Sequence, residues 1–269
     1  MTFSLYAFEP MIHGVRSMNP TKAIAVLAFA CVLAGSSVVL GEIPLYSGGM
    51  DEKAVQEKRV KYPDRLKVLE EFRKNQAGRH AQADVASRAA ILQETRKHLE
   101  HALLQDVFPA WYGTDWAFSG TSTKPGEGSI ACGYFVSTCL TQVGFKVSRT
   151  KLAQQASQGI IETFMAKSER DVFAGGKSME FIKGYLKKKG DGLYIVGLDS
   201  HVGFVSVSGD EMAFIHSSYY EPDSFVVAEK IDSKNPLSDS KYRVFGKILS
   251  DDMILGWLTQ REYPVKTNP

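Results

Sequence analysis

Residues 201–216 read HVGFVSVSGDEMAFIH, a period-two pattern interrupted at Gly209 and Asp210. Two extended runs separated by a Gly-Asp pair read as a β-hairpin with a two-residue turn. That turn sets the register: Ser208 faces Glu211, Gly203 faces His216, and His201 faces Ser218. His201 and His216 then share one face of the hairpin. Their Cα atoms lie on a diagonal of about 7–8 Å, close enough for the imidazoles to meet. Gly203 opposite His216 leaves room for the rings. A three-residue turn would send the two side chains to opposite faces, because side chains alternate along a strand.

The same period extends beyond the hairpin. Residues 192–197, 212–219, 224–231 and 242–248 read as strands. Upstream the period is helical. Residues 62–107 carry apolar positions at helical spacing among many charges, with a break expected over 75–80 around Gly78. The charges there read as a solvated face. Residues 42–60 read as a polar linker. Residues 148–190 read as helical and partly amphipathic, ending in Lys187, Lys188 and Lys189, which suit a helix C-terminus. Helices first and strands afterwards predict an α+β domain.

Residues 131–143, ACGYFVSTCLTQV, form the helix that matters for chemistry. Phe135, Cys139 and Val143 share one face, with Val136 and Leu140 beside them. Ser129 is the expected cap, which puts Cys132 in the first turn. The partial positive charge and free N–H groups there favour a thiolate and can hold a developing oxyanion. Cys139, deeper on the apolar face, reads as core. A cysteine nucleophile needs an imidazole nearby. His80, His98 and His101 lie in the charged helices and read as exposed, which leaves His201 and His216. Each of the three residues alone has an ordinary structural account; it is the histidine pair on one face, following a helix-start cysteine, that points to catalysis. The preceding segment, 108–130, is a structured loop rich in aromatics, Gly and Pro. Trp111 and Trp116 in it either cap the core or wall a cleft.

The chain has 269 residues, 44% hydrophobic and 23% charged, with a formal net charge of +2. That charge is too small to argue for a nucleic-acid partner. Lys22 precedes the run AIAVLAFACVLAGSSVVLG at 23–41, with Met18 just ahead as a start. A basic residue, an apolar run and then small residues form an export signal. Left uncleaved, the run is long enough to anchor the chain in a membrane. Ala28-Phe29-Ala30 before Cys31 makes a poor lipidation box. The expected organisation is a signal over 1–41, a linker and helix over 42–84, and a catalytic domain over 85–269. Without the signal, Cys132 and Cys139 remain, about 10 Å apart along one helix. That is too far for a disulfide, and two unpaired thiols in an oxidising compartment need a reason.

In order, ACGYFV at 131–136, HVGFV at 201–205 and IHS at 215–217 resemble the nucleophile, base and third-residue segments of the NlpC-type peptidases, a bacterial branch of the papain-like fold. Trp111-Tyr112-Gly113-Thr114 is loosely similar to an upstream aromatic–glycine segment of that family. The resemblance spans about residues 85–220. It implies a papain-like fold, with the nucleophile helix packed on an antiparallel sheet and extra N-terminal helices. It also implies hydrolysis of an amide or peptide bond, commonly in cell-wall peptides, without a metal or other cofactor. Cys132 would attack the carbonyl, and His201 would hold the thiolate as an ion pair and protonate the leaving amine. His216 would orient His201, and Trp111 and Tyr112 would touch substrate. The sequence departs from the pattern at Ala131, where the family has Asp, and at Gly133, where it has Ser. In cell-wall members that Asp helps read the substrate's free amino end, a contact the Ala131 methyl group does not make. Two other classes fit the same residues: a non-catalytic binding or wall-associated domain, and a zinc hydrolase using Cys132, His201 and His216.

Overall fold

The structure is a computed structural model that describes residues 45, 46 and 52–267. The expected signal or anchor at 1–41 lies outside the described residues. Among those described, no helix is long and apolar enough to cross a membrane.

The chain opens on α1 (Glu52–Gln82), a 31-residue helix whose buried stripe includes Val55, Tyr62, Leu69 and Gln76, one residue in every seven. So narrow a seam is enough to dock a helix that is charged elsewhere. The linker expected over 42–60 is therefore helix from residue 52 onward. The break expected around Gly78 is absent as well. The chain turns instead at Ala83 and Asp84, where the Asp84 carboxylate accepts the Ser87 N–H and caps α2 (Val85–Ala102). His98 stacks on Phe72 at 3.8 Å between ring centres, so it lies in the α1–α2 contact and not on the surface as expected. A wider turn over Leu103–Val107 leads into α3 (Phe108–Trp111).

After the aromatic loop come α4 (Cys132–Gln142), β1 (Lys146–Val147), α5 (Arg149–Ala153) and α6 (Ser157–Phe164). Then follow β2 (Arg170–Phe173), α7 (Met179–Lys189), β3 (Gly192–Leu198), β4 (Val202–Ser208) and β5 (Glu211–Ser217). The remainder is β6 (Val226–Lys230), α8 (Pro236–Asp239), β7 (Arg243–Lys247), α9 (Asp251–Thr259) and β8 (Glu262–Tyr263). The stretch read as helical over 148–190 thus contains a strand. β2 is short and lies at a sheet edge, and four residues carry too little alternation to stand out.

Among the described residues six strands form one antiparallel sheet in the order β2-β7-β3-β4-β5-β6. The hairpin register is the expected one: Ser208 pairs with Glu211 and Phe204 with Ile215. Gly209 supplies the positive φ (60°) that the tight turn requires. Both faces of the sheet are buried. On one, Phe204 and Ile215 meet Phe135, Val136, Cys139 and Leu140 of α4, with Val55, Tyr62 and Leu69 of α1 in the same core. On the other, Tyr194, Val205, Phe214 and Phe245 meet Ile182 and Leu186 of α7. The antiparallel sheet with helices against it is α+β, as read.

Candidate active site

Cys132 is the first residue of α4, in the first turn as expected. The cap differs. Ala131, and not Ser129, is the N-cap, and it makes no side-chain hydrogen bond. A methyl group cannot accept the first-turn N–H groups, so no side-chain oxygen competes with the thiol for them. The backbone N–H groups of Val202, Gly133 and Cys132 itself act on the Cys132 sulfur and favour its charged form. Gly133 is required by packing: a Cβ there would collide with the carbonyl oxygen of Ala153 in α5. The family's Ser therefore does not fit this chain's α4–α5 contact.

The start of α4 is tied to the strand that carries His216. Ser217 Oγ donates to the Ile130 carbonyl at 2.6 Å, two residues ahead of Cys132. The aromatic loop is pinned to β6 in turn, with Gly113 N–H donating to Val226 O and Val226 N–H to Thr114 O, each at 2.9 Å.

His201 and His216 are brought together as the register requires. His201 Nε2 and His216 Nδ1 are 2.8 Å apart, with the rings edge to face at 4.9 Å. Gly203 makes this fit possible, because a Cβ there would lie 2.8 Å from His216 Cβ. His216 also stacks on Phe214, which fixes its plane. His201 Nδ1 is buried and, among the described residues, has no hydrogen-bond partner. No hydrogen bond joins it to Cys132; the N–H that acts most on the thiol is that of Val202, the next residue along. Cys132 and the histidine pair approach β4 from opposite faces, since α4 packs with Phe204 while His216 follows Phe214. The structure brings the two histidines together and shows no contact between either of them and Cys132.

Burial pushes the Cys132 thiol up, against the downward pull of the three N–H groups. Burial, and then His216, pushes His201 well below the ordinary imidazole value. Burial likewise takes His216 down to about 3. Both shifts favour the neutral forms. They run against the resting thiolate–imidazolium pair that the resemblance implied.

One residue of the constellation escaped sequence reading. Glu229 Oε1 is 2.9 Å from His216 Nε2, so His216 is held at both nitrogens. Glu229 lies on β6, where Val227 pairs with His216 and Phe214 with Glu229. In sequence it is one charged residue of VVAEK, and only the β5–β6 register could have found it. With both nitrogens engaged, His216 has no lone pair free for a metal. Among the described residues no three His, Cys, Asp or Glu side chains converge as a metal-holding group.

Trp111 and Tyr112 are placed differently from the reading that had them touch substrate. Both are fully buried. Trp111 Nε1 donates to Tyr62 Oη at 3.2 Å and its ring packs on Phe135, while Tyr112 stacks on Tyr46. An aromatic–glycine segment plugging the core has the same sequence signature as one walling a cleft. The rings beside the histidines are Tyr219, edge-on to His201 at 5.2 Å, and Trp116, 5.9 Å from Tyr219. A recess of about 130 Å³ opens at His201, Tyr219, Tyr220 and Ser240. A larger cavity of about 560 Å³ is lined by Tyr219, Glu221, Asp223, Glu229, Lys234 and Asp239. The two share Tyr219, Tyr220 and Asp239, and Tyr220 Oη donates to Asp239 at 3.0 Å. No protein-family model, curated protein or solved structure matches the chain, so the chemistry of these side chains alone carries its functional reading.

Proposed function

We propose that the chain is a papain-like, NlpC-type thiol hydrolase that cleaves an amide or peptide bond, with cell-wall peptides as the substrate class. Cys132 is the nucleophile, His201 the base and His216 its orienting residue. The observation that carries this reading is the histidine pair: His201 Nε2 is committed to His216 at 2.8 Å, while its Nδ1 is buried without a partner among the described residues, and the backbone N–H of the next residue, Val202, acts on the Cys132 thiol. A base held at one nitrogen and bare at the other is the arrangement nucleophilic catalysis uses. The Cys132 S–H proton passes to His201 Nδ1 as sulfur bonds to the carbonyl carbon and the carbonyl oxygen takes the displaced electron pair. The first-turn N–H groups of α4 stand ready for that oxyanion. His201 then returns the proton to the leaving amine as the C–N bond breaks, and water hydrolyses the thioester. The segment at 1–41 would export the enzyme to the compartment where such peptides lie.

Incubation with purified cell-wall peptides, read by mass spectrometry, tests the substrate class. Wild type is expected to release fragments ending in a new carboxylate, and Cys132→Ala to release none. Equal fragmentation by both proteins would refute the assignment of Cys132.

A further inference from the structure

Glu229, His216 and His201 form a linear chain of hydrogen bonds that ends on a bare nitrogen. We infer that Glu229 is a positioning residue of the proposed thiol site: through His216 it sets which nitrogen of each imidazole carries the proton, and so keeps His201 Nδ1 open to receive the proton of Cys132. The functional half of this inference rests on the thiol-hydrolase reading, whereas the proton arrangement does not.

The argument is one of hydrogen-bond polarity. A carboxylate only accepts. With Glu229 ionised, the 2.9 Å contact places the proton on His216 Nε2. A neutral imidazole carries one N–H, so His216 Nδ1 is then an acceptor. The 2.8 Å contact to His201 must be donated by His201 Nε2, which leaves His201 Nδ1 with its lone pair. The opposite polarity would set a lone pair of His216 Nε2 against a lone pair of the carboxylate, so it requires a proton on Glu229. When His201 takes the thiol proton, both its nitrogens bear hydrogens. Its Nε2–H still donates to His216, whose Nε2–H still donates to the Glu229 carboxylate. The new positive charge is stabilised through this chain without a further covalent step.

Glu229 is also the member that can change state. Its side chain is only 15% exposed, yet it lines the 560 Å³ cavity and so reaches solvent. Burial, and then Asp223, raises its carboxyl to about 7. The other charged groups on that cavity are Glu221, Asp239 and Lys234, with His216 behind it on β5. A proton gained by Glu229 near neutrality permits the reversed polarity, in which His201 Nδ1 bears hydrogen and cannot act as base.

Nitrogen-15 histidine NMR of the purified protein reads this directly. At pH 8 the inference expects both His201 and His216 as Nε2–H tautomers. The His216 Nε2 proton should lie far downfield and shift as pH falls through about 7. His201 found as the Nδ1–H tautomer at pH 8 would overturn it in wild type alone, with no variant needed. Glu229→Gln, checked for folding by circular dichroism, keeps the shape and loses the charge. Its His216 signal should no longer move near pH 7, and alkylation of Cys132 at pH 8 should slow about tenfold or more. The loss of a tautomer-ordering carboxylate costs up to about 10⁴ in the Ser-His-Asp enzymes. Glu229→Asp should recover part of the rate. A Gln variant with unchanged tautomers and an unchanged pH profile would also overturn the inference. If the tautomers are as expected but Cys132 is unreactive even in wild type, the hydrolase reading fails and the proton arrangement stands.

Discussion

Glu229 and the two histidines oppose one another in the pH dependence of folding. The folded carboxyl of Glu229 titrates at about 7, above its ordinary value. The folded state therefore holds this proton more tightly than the unfolded chain does. The stability it contributes is fully present below the unfolded value near pH 4.3 and is lost as pH rises through about 7. His201 and His216 are held below the ordinary value. The unfolded chain takes up their protons below about pH 6.5, so stability drains as pH falls under that point. Comparing wild type with Glu229→Gln isolates the carboxyl. Between pH 5 and pH 8, wild type should lose about 1–2 kcal/mol relative to the variant, a figure reduced for the partial solvent access of the group. Urea titrations at the two pH values measure it, and parallel curves would contradict the assigned burial effect. The helix start at Cys132 and the pairing of His201 with His216 were legible, because a helical period begins at one and a short hairpin carries the other two. Glu229 was not, because nothing within β6 marks it; only the pairing of β5 with β6 brings it to His216.

At the scale of elements, the β4–β5 hairpin decides the site. A methyl group on Gly203 would lie 2.7 Å from the Phe214 ring and 2.8 Å from His216 Cβ. Gly203→Ala should therefore cost about 1–3 kcal/mol by overpacking. It should also move His216 off His201, seen as loss of the downfield His216 proton. A variant within about 0.5 kcal/mol of wild type, with that proton in place, would mean the strands have slack the register does not suggest. The hairpin could be read in advance because Gly209-Asp210 dictates a turn and the turn dictates every pair after it. β3, β6 and β7 were legible from their apolar period. β2 was not, being four residues at an edge. α9 went unread although Ser250 caps it by accepting the Met253 N–H. Its apolar run MIL-GWL is short and interrupted by Gly256, which needs its tertiary neighbours to stay helical.

Across the whole molecule, the long charged helix α1 acts as a brace. Arg59 donates to the carbonyl oxygens of Ala110 and Tyr112, and Tyr62 Oη donates to Gln142 at the far end of α4. Its weak amphipathicity hid this role, since a one-in-seven seam among lysines, arginines and glutamates reads as solvated surface. Trp111 and Tyr112 belong to the same braced core, which is why they are closed to substrate. The brace and the sheet hold Cys132 at the head of α4 with partial access, while Cys139 seven residues on is sealed. That contrast gives the most direct test of a thiol enzyme. Purified protein is treated briefly with iodoacetamide at pH 7.5, and the labelling of Cys132 and Cys139 is compared by mass spectrometry. Cys132 should label and Cys139 should not. In His201→Ala the Cys132 rate should fall by about a hundredfold or more, the usual scale of a general base. A Cys132 that labels as fast without His201 as with it would contradict the account.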